Sequence, residues 1–134
     1  MNDRPTLEEL IEAARLHLET NVIPALKGDA KLYFQTLVAV NVLRVAEREL
    51  ISGWSHLQAE CRRLDQLEGE AQPIPASPTE AEAALRMRNA ALCGRIRAGD
   101  YDDDSAALFA HLQATVREAL EIANPKFLQI DEGK

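Results

Sequence analysis

Aromatic residues make up only 4% of this 134-residue chain, with a single Trp. That is too few for a platform on which single-stranded nucleic acid stacks. Cysteine occurs twice, at Cys61 and Cys93, each inside a helical pattern. Neither lies in a Cys-x-x-Cys or near a histidine at ligand spacing. A disulfide framework in so long a chain needs more of them, so both read as buried or half-buried free thiols of a reducing cytoplasm. The opening Met1-Asn2-Asp3-Arg4-Pro5 has no basic-then-apolar run, and no secretory signal is expected. No uninterrupted apolar stretch reaches about 18 residues, so no membrane span is expected. Nucleophile and phosphate-loop motifs are missing, including GxSxG, a Gly-rich loop and paired carboxylates on an inner face. The six glycines are spent on helix ends.

What is present favours helix. Strand formers such as Ile, Thr and Tyr are scarce, while Ala, Leu, Glu and Arg are plentiful. Apolar residues reach 46%, enough for one domain over residues 1–134 with a core of its own. The net charge is −7 and the pI about 5.0. Such a surface repels phosphate backbones and anionic membranes, so neither nucleic acid nor membrane is an expected partner. The Arg62-Arg63 pair and Arg95 with Arg97 are too sparse against this background for a DNA-reading helix.

Five helices follow from periodicity and caps. Thr6 with Glu9 makes a capping box before the stripe Leu7, Leu10, Ile11, Ala14 and Leu18, and Pro24 ends or kinks this helix near Val22. Gly28-Asp29 supplies a break and a cap for a second helix over about 29–51, stopped by Ser52-Gly53. A third runs over about 55–68 with Leu57, Cys61 and Leu64 inward. Residues 69–78 contain Pro73, Pro75 and Pro78 and read as a crossover loop. The fourth helix opens at Ser77 and Pro78, buries Leu85, Leu92 and Ile96, and stops at Gly99. The fifth runs from Ser105 to Ala123, with Leu108, Leu112, Val116 and Leu120 facing the core. Residues 126–128 fold back, and 129–134 are expected to fray.

The second helix has apolar residues on two opposite faces. Phe34, Leu37, Val38, Asn41, Val45 and Arg48 share one. Leu32, Thr36, Ala39, Leu43, Ala46 and Leu50 share the other, spaced 4-3-4-3-4. A helix apolar all round is buried between neighbours, so the predicted fold is an all-α bundle around this central buried helix. The second face is wide for four modest neighbours, and a second subunit is expected to cover it or the stripe of Leu57, Cys61 and Leu64.

Candidate sites are few. Asp100, Asp102 and Asp104 fit positions 1, 3 and 5 of a calcium loop, but Ser105 stands where glycine is needed and His111 where a bidentate carboxylate is needed. The acidic turn therefore reads as carboxylates gathered at a helix N-terminus, and no metal or cofactor is expected. Asn41, Arg44 and Arg48 lie on the helix expected to be buried, where an amide and two guanidinium groups need partners. They either hold an anionic ligand between helices, such as an acyl thioester or phosphate ester, or serve structure, with Arg48 paired to Glu12, Glu118 or Glu121. His17 and His111 sit at the edges of their stripes and His56 outward. His111 joins Asn41, Arg44 and Arg48 as a ligand-binding candidate.

Arg4-Pro5-Thr6 with Glu9-Leu10, Asn41, Arg48-Glu49-Leu50, Ile96-Arg97-Ala98-Gly99 and Asn124-Pro125-Lys126-Phe127-Leu128 carry a resemblance. Over nearly its full length the chain resembles an uncharacterised family of small bacterial helical proteins, a domain of unknown function. The resemblance implies genes beside acyl-CoA dehydrogenases and kinases similar to aminoglycoside phosphotransferases. It implies an accessory role near acyl-CoA metabolism and brings no catalytic residues. The expectation is a non-enzymatic interaction protein that self-associates, with the anion-binding pocket as the alternative.

Overall fold

A computed structural model describes residues 3–131. All regular structure among them is helical: α1 (Leu7–His17), α2 (Ala30–Glu68), α3 (Pro78–Arg97), α4 (Ala106–Ala123) and α5 (Pro125–Asp131). The all-α expectation holds. No described helix is long and apolar enough to cross a membrane. The chain divides into two compact units, Met1–Ser52 and Gly53–Lys134, and α2 supplies a helix to each.

In the first unit the capping box of α1 is complete. The Glu9 amide donates to Thr6 Oγ1 at 3.2 Å, and the Thr6 amide donates to Glu9 Oε2 at 2.8 Å. The α ladder stops at His17, widens into one π turn (Leu18–Val22) and tightens into a 3-10 turn (Ile23–Leu26). Pro24 is the cause: it donates no hydrogen bond, and its ring meets the carbonyl four residues back. Asp29 then caps α2, accepting the Leu32 amide at 3.0 Å.

Two expectations about α2 are corrected. Helices predicted over 29–51 and 55–68 are one helix of 39 residues. Ser52-Gly53 does not stop it, because one interior glycine costs a helix only about 1 kcal/mol and the pattern resumes at once. The stop falls at Gly69, whose φ of 73° is the left-handed conformation that glycine adopts without strain. Nor is 29–51 buried on both faces. Thr36 and Val40 are its buried residues, turned to one side with half-buried Leu43 and Glu47. The opposite side lies open, so one of the two apolar faces is covered within the chain and the other is not.

The second unit holds the core. Leu64 of α2, Leu92 of α3 and Leu108 of α4 are buried against one another, with Leu67, Leu85 and Tyr101 packed around them. Full burial of each leucine contributes roughly 1.5–3 kcal/mol. Ser77 caps α3, and Gly99 (φ 85°) turns the chain after it. Arg88 ties α3 to α2 through Asp65 at 2.8 Å and Glu68 at 3.0 Å. On α4 the inward face is displaced from the predicted stripe. His111 is buried, while Leu112 and Val116 are exposed. Arg63 explains the displacement: His111, Thr115 and Glu118 turn toward it, with hydrogen bonds to the last two. Cys61 is buried as expected, whereas Cys93 is exposed. His56, expected outward, is half-buried and lies 3.1 Å from Glu121. After Ala123 the short helix α5 runs to Asp131, so residues 129–131, expected to fray, are helical, and 132–134 lie outside the described residues.

Candidate functional site

Two features of the first unit stand out: a charged groove and an uncovered helix face. The groove, about 360 Å³, is lined by Glu8, Glu12 and Arg15 of α1 and by Arg44, Glu47 and Arg48 of α2. Helical spacing places Arg44 and Arg48 one turn apart, so both reach it. Its charges are matched within the chain. Arg15 Nε donates to Glu47 at 2.6 Å and its Nη1 to Glu19 at 3.1 Å. Arg44 Nε donates to Glu19 at 3.0 Å, and Arg44 Nη2 donates to the same oxygen. The bond to Glu47 raises the Arg15 pKa, and the bond from Arg44 lowers that of Glu19. Three carboxylates against three guanidinium groups leave the lining without net charge.

Of the four predicted site residues, Arg44 and Arg48 come together here. Asn41 is exposed and does not line the groove. His111 belongs to the second unit, where it is only 4% exposed and borders a recess of about 230 Å³ with Arg63, Gln66 and Ala110. Burial, and then the Arg63 charge, push its pKa down, so it is a neutral imidazole at pH 7. Its Nδ1 has no hydrogen-bond partner among the described residues. Among those residues no group of three His, Cys, Asp or Glu side chains is placed to hold a metal ion.

The uncovered face lies opposite Thr36 and Val40. Phe34 is 65% exposed, Val38 48% and Val42 59%, and half-buried Val45 continues their line. Val40 is the one buried apolar side chain among the described residues of the first unit.

The double apolar patterning of α2 did announce this surface. Nothing in the sequence says which of the two faces the first unit buries.

No curated protein and no solved structure matches the chain. A protein family matches it over residues 24–127, a stretch that contains Asn41, Arg48-Glu49-Leu50 and Ile96-Arg97-Ala98-Gly99 and leaves out Arg4-Pro5-Thr6 and Glu9-Leu10. With that much of its length matched, the chain belongs to DUF6285, a domain of unknown function.

Proposed function

We propose that this protein is a non-enzymatic interaction module that acts as a self-associated accessory. One contrast carries the reading. The first unit buries a single apolar side chain among its described residues, while Phe34, Val38 and Val42 stand in water on one side of α2. Contiguous apolar surface of this kind marks a contact with another protein, and a second copy is the simplest partner to close it. Sedimentation at micromolar concentration tests the proposal. A species of twice 14.8 kDa is expected, and a 14.8 kDa species at every concentration overturns it.

The accessory role rests on the resemblance to bacterial helical proteins encoded beside acyl-CoA dehydrogenases and phosphotransferase-type kinases. The two unpaired thiols, Cys61 and Cys93, suit a cytoplasmic setting. Mixing with the purified neighbouring dehydrogenase or kinase and following co-migration tests that role, with separate migration as the overturning result.

A second reading has the groove in its favour. Arg44 and Arg48 line it together and would face an anionic ligand such as an acyl thioester. Glu19 and Glu47, bonded to Arg44 and Arg15, compete with any such anion. A rise in melting temperature with millimolar acyl-CoA, lost in Arg48→Ala, would establish it.

A further inference from the structure

The open face of α2 carries charge as well as apolar surface, and the charge is ordered. Lys31 and Glu49 are 18 residues apart, five turns at 3.6 residues each, so they share one angular position on the helix. Phe34, Val38, Val42 and Val45 lie between them on the same side. The stripe therefore begins at a cation and ends at an anion about 27 Å away. Both are exposed, and among the described residues neither takes part in an ion pair of the first unit.

Resting on the self-association proposed above, we infer that two copies join along this stripe antiparallel, about a two-fold axis near Val40 and Asn41. The midpoint between Lys31 and Glu49 is residue 40. Turning the stripe end for end about that point sets Lys31 against the partner's Glu49 and Val38 against the partner's Val42, and brings Phe34 within one residue, about 1.5 Å of rise, of the level of the partner's Val45. The apolar stripe thus maps onto itself, as a two-fold contact requires. A parallel pairing in register would instead set Lys31 against Lys31 and Glu49 against Glu49. Charge complementarity selects the antiparallel arrangement.

Each copy then contributes α1 and the first part of α2 to a four-helix arrangement, in which Phe34 and Val42 gain the cover they lack alone. Asn41 sits next to the axis. There the amides of the two copies can each donate to and accept from the other, and one polar pair in an apolar seam fixes its register.

Charge reversal with sedimentation equilibrium tests the inference. Lys31→Glu and Glu49→Lys, each alone, are expected to weaken dimerisation about tenfold by creating like-charge contacts at both ends. The double variant Lys31→Glu/Glu49→Lys is expected to restore it. Val38→Asp is expected to weaken dimerisation by at least about a hundredfold by burying two unpaired carboxylates. All three positions are exposed in the single chain, so helicity by circular dichroism should hold in every variant. If Val38→Asp gives monomers but the double charge reversal does not restore the dimer, the antiparallel seam is wrong and self-association stands. Dimerisation that survives Val38→Asp places the contact elsewhere and overturns the seam. A wild-type chain that is monomeric throughout removes both proposals.

Discussion

Arg63 of α2 grips Glu118 of α4 with both terminal nitrogens, at 2.8 and 2.7 Å, and donates to Thr115 Oγ1 at 3.2 Å. The pair is about four-fifths withdrawn from water, with side-chain exposures of 22% and 19%. The planar fork matches the carboxylate, and the hydrogen bond to Glu118 raises the arginine pKa.

Removing the fork should therefore cost more than an ordinary surface ion pair. Arg63→Ala is expected to lower unfolding free energy by roughly 2–3 kcal/mol, since Glu118 is left partly desolvated. Arg63→Lys, which keeps the charge and loses the two-pronged geometry, should lose about half of that. Urea denaturation followed by circular dichroism measures both, and equal midpoints for Lys and Arg would show that geometry does not matter here.

His111 gives a pH dependence with a definite sign. Its pKa is lowered in the folded chain by burial first and then by Arg63, partly opposed by Glu60 and Glu118. The unfolded chain binds the proton more readily, so stability rises with pH through this titration. The contribution is complete above about pH 6.5, the ordinary histidine value, and is lost as pH falls below it. Glu19, whose pKa is lowered chiefly by Arg44, acts in the same direction at more acid pH, below the ordinary carboxylate value. The urea midpoint should fall between pH 7 and pH 5.5, and His111→Gln should flatten that fall. An unchanged slope in the variant would assign it to other groups.

Two glycines should respond oppositely to alanine. Gly94 lies inside α3 with open space where a Cβ would stand. Gly94→Ala is expected to stabilise by about 0.5–1 kcal/mol. Gly99 holds φ at +85°, and a Cβ there would lie 2.8 Å from Asp102 Oδ2. Gly99→Ala is expected to destabilise by roughly 1–2 kcal/mol, mostly through the strained backbone, since the Asp102 carboxylate can swing aside. Thermal melts of the two variants should bracket the parent.

Local chemistry in the chain was readable residue by residue. Thr6 with Glu9, Asp29, Ser77 and Gly69 each mark a helix end, because capping involves neighbours within a few positions. Ser52-Gly53 misled because a glycine signals a stop only where the chain turns left-handed, and here the helical pattern of Trp54, Leu57 and Cys61 carries the backbone straight on. Three-dimensional choices were less legible. Either apolar face of α2 satisfied the periodicity, and the first unit buries the one bearing Thr36 and Val40. On α4, leucine spacing favoured Leu112 and Val116. The distant guanidinium of Arg63 turned His111 and Glu118 inward instead. For the candidate site, helical spacing brings Arg44 and Arg48 to one groove. Glu19, the partner of Arg44, sits in a π turn that no pattern on α2 foretells.

The unlike surroundings of the two thiols make the chain its own reporter. Cys61 is 5% exposed and burial pushes its pKa up, so it stays protonated and shielded, whereas Cys93 is open to solvent. A maleimide should therefore attach a single dye per native chain, on α3, and a second only once the chain unfolds. The ratio of labels per chain then counts the fraction unfolded directly, with no engineered residue.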